Sequence, residues 1–318
     1  MDLEYLVLLQ HLREAAGFFL TPVMEGISAI AASSLTIAVA AFVFWALDRQ
    51  FGSFLMLNFV GSSLLNQTVK LTACVYRPWV RDPRIVPDPS AIESATGYSF
   101  PSGHTQSATA IYGSIAFWFG KKRKWLAALM VVMILLTAFS RNYLGVHTPQ
   151  DVVVAMVLCG AYLWLNSRIL ARLRRQPEFD KTVALVGVVL SLAAVLWFLA
   201  KDYPLDYQNG VPLVDPELMM EDGFMSAGMV LGFFPGWLIE RRWLRFSTKR
   251  HSAGQIVLSL AALVPMLLIY KQMPGMLAGI TGPLWACYLS CAFLAFYVTA
   301  LVPAVLCLLQ RRGILPQD

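Results

Sequence analysis

Residues 125–165 read WLAALMVVMILLTAFSRNYLGVHTPQDVVVAMVLCGAYLWL. Two apolar runs, Trp125–Phe139 and Val152–Leu165, flank a short polar knot, Ser140–Asp151. With its flanks, each run approaches the roughly 20 residues a helix needs to cross the hydrocarbon core of a bilayer. The same pattern recurs at Ile27–Trp45 and Val183–Ala200. With 58% hydrophobic and 14% charged residues, and a mean hydropathy of +0.61, the composition is far from that of a soluble globular domain. The chain therefore reads as an all-α polytopic helical membrane protein with about nine transmembrane helices. They are placed near 26–46, 52–72, 103–120, 125–141, 149–168, 182–200, 223–239, 254–270 and 284–308, after an amphipathic or re-entrant segment at 4–20. Residues 1–170 are expected to form a core carrying the polar motifs, and 171–318 a C-terminal extension of about four helices. The start, MDLEYLVLLQHLRE, has neither a basic region nor a small-residue cleavage site, so no cleaved signal peptide is expected.

The charges give an orientation. Lys121–Lys124, Arg168–Arg175, Arg241–Arg250 and Arg311–Arg312 all fall on one side when crossings are counted, and the positive-inside rule makes that side cytoplasmic. This puts the N-terminus outside and the C-terminus in the cytoplasm. The net charge of +6 is explained by these juxtamembrane clusters, so no nucleic-acid partner is expected. Of the 25 Lys and Arg residues, 17 lie inside by this count. Five of the outer ones, Lys70, Arg77, Arg81, Arg84 and Arg141, concentrate around a few polar fragments, and an anionic substrate would account for that. The five cysteines (74, 159, 287, 291, 307) mostly sit in apolar runs without metal-ligand spacing, so they read as buried small hydrophobes.

Three fragments carry the polar chemistry. Lys70 and Arg77 are two helical turns apart. Pro78 disfavours helix at Arg77, so the helix is expected to end there and the guanidinium to reach phosphate bidentately. Pro101-Ser102-Gly103-His104 opens a run of helix formers. A helix start offers free N–H groups to an anion, Gly103 permits close approach, and Ser102 can donate its hydroxyl. His104 is placed to act as general acid or base. In Ser140-Arg141-NYLGV-His147-TPQ-Asp151, Thr148 suits an N-cap and Pro149 the first helical position. Asp151 then lies in the first turn, within reach of His147, where it can fix the imidazole tautomer. By the crossing count all these helix ends face outward. Of the four histidines, His11 and His251 lie outside the fragments and read as interfacial and solvated.

Lys-x6-Arg-Pro, Pro-Ser-Gly-His and Ser-Arg-x5-His-x3-Asp, in this order over residues 70–151, resemble the signature of the type 2 phosphatidic acid phosphatase superfamily. The resemblance implies a metal-independent phosphatase working without cofactors through a phosphohistidine. By it, His147 would be the nucleophile, Asp151 its orienting base, and His104 the group that protonates the leaving oxygen and then activates water. Lys70, Arg77, Ser102, Gly103 and Arg141 would bind the phosphoryl oxygens. Such relatives act on phosphatidate, prenyl diphosphates, sphingoid phosphates or glucose 6-phosphate, and the nine-span layout is similar to that of glucose-6-phosphatases and sphingosine-phosphate phosphatases.

The function expected is therefore hydrolysis of a lipid phosphate monoester or diphosphate at the outer membrane face, with membrane lipids as the surroundings. A soluble sugar phosphate as substrate, or transfer of the phosphoryl group to another acceptor, is the alternative. A non-catalytic lipid transporter is a more distant one, since neither an internal repeat nor paired broken spans is evident. The loop Lys201–Asp222 falls on the same side and is expected to help cover the site. The lack of disulfide pairing and of a retention signal points to a bacterial plasma membrane. The oligomeric state is left open.

Overall fold

The computed structural model describes residues 2–32, 34–208, 210–249 and 252–316; His251 lies outside them. It is almost wholly helical, as expected of an all-α membrane protein. Among the described residues, six helices are long and apolar enough to cross a membrane: Lys124–Tyr143, Pro149–Arg175, Phe179–Ala200, Pro216–Leu244, Ala253–Thr281 and Pro283–Arg311. Shorter apolar helices cover Phe19–Ile30 and Thr36–Leu47. The expected spans at 52–72 and 103–120 are helical too, as Arg49–Ala73 and Gly103–Phe119. The first is diluted by Asn58, Ser62, Asn66 and Lys70, and the second is only 17 residues long. The chain divides into two compact units.

One unit comprises Met1–Thr36, Leu65–Trp164 and Ala200–Met220. Its first helix, α1 (Asp2–Ala32), is continuous through the segment expected as a separate element at 4–20. It packs against α6 (Gly103–Phe119) and α7 (Lys124–Tyr143). This unit also contains the end of α3 (Arg49–Ala73), the short α4 (Pro78–Arg81) and α5 (Pro89–Ile92), and the first half of α8 (Pro149–Arg175). Met24, Ala91, Ala95, Tyr143, Leu144 and Val146 form a buried apolar cluster beside the polar knot. Arg13 of α1 ties that region down, donating from Nη1 to the Tyr143 carbonyl (2.9 Å) and from Nη2 to the Val86 carbonyl.

The second unit comprises Ile37–Leu64, Leu165–Leu199 and Glu221–Asp318. It contains most of α2 (Ser34–Phe42), α9 (Phe179–Ala200), most of α10 (Pro216–Ile239), α11 (Ala253–Thr281), α12 (Pro283–Phe296) and α13 (Val302–Arg311). Helix α10 meets α12 and the turn after it through Gly228, Gly232 and Gly236, spaced four apart on one face. A Cβ at these glycines would fall 2.1 Å from the Tyr288 carbonyl oxygen, 1.8 Å from that of Ala292 and 2.1 Å from Thr299 Oγ1. Small residues at this spacing let apolar helices approach backbone to backbone, the usual way to gain packing contacts where water supplies no hydrophobic drive. Buried polar groups add cross-links: Trp45 Nε1 donates to Val298 O (2.8 Å) and Gln255 Nε2 to Trp45 O (2.7 Å).

Candidate active site

All eight residues singled out in the motifs belong to the first unit. Helix α3 stops at Ala73, earlier than Pro78 alone demands, because Cys74 takes a left-handed conformation (φ 48°). Lys70 remains buried in its last turn. Arg77 is extended (φ −63°, ψ 153°) and caps α4, whose first residue is Pro78. Its guanidinium is fixed by carbonyls: Nε to Gly97 O (3.0 Å), Nη2 to Thr96 O (2.9 Å) and Nη1 to Val146 O (3.0 Å). Nη1 also lies 3.0 Å from His147 Nε2.

That contact sets the tautomer. A guanidinium only donates, so Nε2 must be the unprotonated ring nitrogen and Nδ1 carries the hydrogen. Nδ1 faces Asp151 Oδ2 at 3.3 Å. The Asp151 carboxylate also accepts from Thr148 N (2.8 Å) and from Ser99 Oγ (2.5 Å). Asp151 N in turn points at Thr148 Oγ1 (3.4 Å), so the cap expected from the sequence is present at the start of α8. Burial first, and the Arg77 cation second, push the His147 pKa down to about 3, so the imidazole is neutral at physiological pH. Its loop is held by Asn142 Nδ2, which donates to His147 O (2.8 Å), and by Gly145, whose φ of 75° a side chain would strain.

Ser102 caps α6 and is fully buried. Its Oγ accepts from Thr105 N (3.4 Å) and Thr105 Oγ1 (3.0 Å), leaving its own proton to donate. Its backbone N–H bonds Asp151 O (3.0 Å), which joins the second fragment to the third. A Cβ on Gly103 would meet no atom within 4 Å, so the helix start faces open space. His104 lies within electrostatic range of Arg141, His147, Arg77 and Lys70. Arg141 is 1% exposed; Nη1 donates to Ser28 Oγ (2.7 Å) and Nη2 approaches Ser94 Oγ (3.4 Å). Its buried Nε has no hydrogen-bond partner among the described residues.

Two of the cations expected on the outer side have a simpler role than anion binding. Arg84 pairs with Glu4 (2.6 Å) and Asp82 (2.7 Å), and Arg81 with Asp2 (3.4 Å), so both fasten the loop to the first turn of α1. Sequence reasoning missed Ser99, Asn142, Ser94 and Ser28. Ser99 stands three residues before Ser102 and could have been suspected from its place. Ser28 lies in an apolar stretch of a distant helix and carries no sequence signal. His11 is exposed and pairs with Glu14 (3.3 Å). The segment Ala200–Met220 packs on the residues around Arg77: Tyr76 OH donates to Asp206 Oδ2 (2.7 Å), Lys201 Nζ to Cys74 Sγ (3.0 Å), and Tyr98 N to Met219 Sδ (3.2 Å).

The model of the PAP2 superfamily matches residues 51–175. Phosphatidylglycerophosphatase B of Bacillus subtilis is 31% identical over 145 residues, 42% of this chain and 67% of that protein. Undecaprenyl-diphosphatase of Sulfolobus acidocaldarius is 29% identical over 122 residues, 38% of this chain and 56% of that protein. Phosphatidylglycerophosphatase B of Haemophilus influenzae is 43% identical over 95 residues, 27% and 37% of the two chains. The chain thus spans between about two thirds and one third of the length of these relatives. No solved structure matches it. From the matched family model and the extent of the Bacillus alignment, the chain belongs to the PAP2 superfamily.

Proposed function

We propose that this integral membrane protein is a lipid phosphatase that hydrolyses a phosphate monoester or diphosphate through a phosphohistidine on His147. The names of its relatives support the phosphatase class and a lipid substrate. The observation that carries the mechanism is the orientation of His147: unprotonated Nε2 toward Arg77, protonated Nδ1 toward Asp151. In the first step Nε2 attacks phosphorus, the N–P bond forms and the P–O bond to the lipid breaks, with His104 giving its proton to the leaving oxygen. In the second step His104 takes a proton from water, the hydroxide attacks phosphorus and the N–P bond breaks, releasing phosphate. The Asp151 carboxylate stabilises the imidazole as it gains positive character. Arg141 Nε, buried without a hydrogen-bond partner among the described residues, Ser102 Oγ and the open helix start at Gly103 provide donors for the phosphoryl oxygens, with Lys70 adding charge.

By the positive-inside rule, this site faces the outside of the membrane, bordered by the Lys201–Met220 segment, with the N-terminus outside and the C-terminus in the cytoplasm. Bacterial relatives favour a bacterial plasma membrane. Residues 1–170 are proposed as the catalytic core and 171–318 as its transmembrane extension.

The test is release of inorganic phosphate by detergent-solubilised protein from phosphatidate, phosphatidylglycerophosphate, prenyl diphosphate, sphingoid phosphate and glucose 6-phosphate, with and without a chelator. Turnover of a lipid substrate, unchanged by chelator, is the expected result. Preference for glucose 6-phosphate, or dependence on added metal, would overturn it.

Two substitutions probe the geometry. Ser99→Ala removes a buried hydrogen bond to the Asp151 carboxylate and should lower kcat about 10- to 100-fold, the equivalent of one charged hydrogen bond, while KM stays near wild type. An equal loss in an Asp151→Asn background would show that Ser99 does not act through the carboxylate. Gly103→Ala places a methyl group in open space, so the melting temperature should be unchanged. Phosphate affinity should fall nonetheless, read as weaker inhibition by vanadate. Full vanadate inhibition at wild-type concentration would remove Gly103 from the anion seat.

A further inference from the structure

The second unit contains a cavity of about 430 Å³ that is independent of the catalytic residues. It forms where the start of α3, the end of α8, the start of α9 and the end of α10 converge. This is within the size range of small-ligand sites. Five guanidinium groups line it against three carboxylates. The carboxylates are already engaged. Glu240 takes Arg49 (3.0 Å), while Glu178 and Asp180 take Arg242 (2.9 and 2.5 Å). The lining carries a net excess of two positive charges, and Arg174, Arg241 and Arg245 lie outside these closest pairs.

Arg241 is the most telling of these. Its guanidinium lies over the Trp237 ring, 5.1 Å from the centroid. Its buried Nε has no hydrogen-bond partner among the described residues, the nearest carboxylate oxygen being Asp180 Oδ2 at 3.8 Å. A buried donor without an acceptor is costly, and an anion in the cavity would satisfy it. Arg245 adopts a left-handed backbone (φ 51°) that closes the turn after α10, an unfavourable choice for a long side chain. Phe54, Leu57, Leu170 and Leu173 give the lining an apolar part. Arginines beside an apolar lining fit an amphipathic ligand.

We infer that this cavity binds a phosphate-bearing anion. The apolar part of the lining favours the headgroup of an anionic phospholipid over free phosphate. Under the charge rule these basic helix ends face the cytoplasm, so the lipid would come from the inner leaflet, where basic pockets between transmembrane helices capture anionic headgroups. Such a site would bind lipid without turning it over.

The test uses the full-length protein in neutral detergent, with melting temperature as the readout. Soluble short-chain phosphatidylglycerol is the probe, because its phosphodiester offers no terminal phosphoryl group to His147. Short-chain phosphatidylcholine and inorganic phosphate are the comparisons. Phosphatidylglycerol should raise the melting temperature and phosphatidylcholine should not. Arg241→Gln/Arg245→Gln should weaken the apparent affinity about tenfold or more, whereas Lys121→Gln/Lys122→Gln, a basic pair in the other unit, should leave it unchanged. If the double variant does not fold, Arg174→Glu at the exposed rim gives the same comparison. An equal shift with inorganic phosphate, lost in the same variants, would assign the site to free phosphate. The inference is overturned if neither anion shifts the melting temperature, if phosphatidylcholine is as effective, or if the shift survives Arg241→Gln/Arg245→Gln.

Discussion

Replacing His147 by alanine is expected to lower turnover by about four orders of magnitude or more while leaving a folded protein. The size follows from the proposed role. Without Nε2 no covalent intermediate forms, and only the anion-binding groups remain to act on a directly attacking water. Folding should survive because the imidazole is a neutral group in a small loop whose backbone carbonyls are held by Asn142, at His147 O, and by Arg77, at Val146 O. The sharper version uses rapid quench into alkaline detergent with a labelled phosphate substrate. Wild-type protein should trap label in an acid-labile, base-stable form, as a phosphoramidate is. His147→Ala should trap none. His104→Ala, given a substrate with a good leaving group, should form the labelled species and then hydrolyse it slowly, because its proton is needed less in the first step than its basicity in the second. Label carried by His147→Ala, or residual turnover within tenfold of wild type, would exclude this histidine as the nucleophile.

Gly232→Val is expected to abolish the folded state of the second unit. The Cβ alone would sit 1.8 Å from the Ala292 carbonyl oxygen, a backbone atom fixed within its own helix. Relief requires α10 and α12 to separate, and separation breaks the contacts at Gly228 and Gly236 as well. Overpacking of an ordinary core costs about 1–3 kcal/mol where side chains can shift. Here the obstruction is main chain, so the cost should exceed that range. Loss of a monodisperse peak in size-exclusion chromatography, or a large drop in melting temperature, is the measure. By contrast Gly275→Val, at a glycine with no neighbouring atom within 4 Å of an added Cβ, should behave as wild type. Equal behaviour of the two variants would mean the helices do not meet as described.

The polar motifs were legible because each is local. The Thr148 cap, Pro149 and Asp151 sit within one turn, so helix geometry alone brings the carboxylate to His147. Charge alone was a poorer guide. Arg81 and Arg84 share the sign and neighbourhood of Arg77, yet they pair with carboxylates of α1, more than 70 residues away in the chain. Nothing in a hydropathy pattern distinguishes a cation turned toward His147 from one already neutralised by a carboxylate. The same holds for Ser28, whose hydroxyl meets Arg141 only because α1 lies against α7.

From the sequence by itself came the membrane class, the helices and the three motif fragments, since apolar length, caps and short spacings are one-dimensional properties. Tertiary structure alone decided which nitrogen of His147 is unprotonated, which arginines are spent on structure, and that Ser99 supports Asp151. It also decided that three glycines of α10 form a seam and that the basic helix ends of the second unit enclose a cavity. Each of these depends on groups distant in the chain coming within a hydrogen bond or a van der Waals contact, and residue order does not encode that directly.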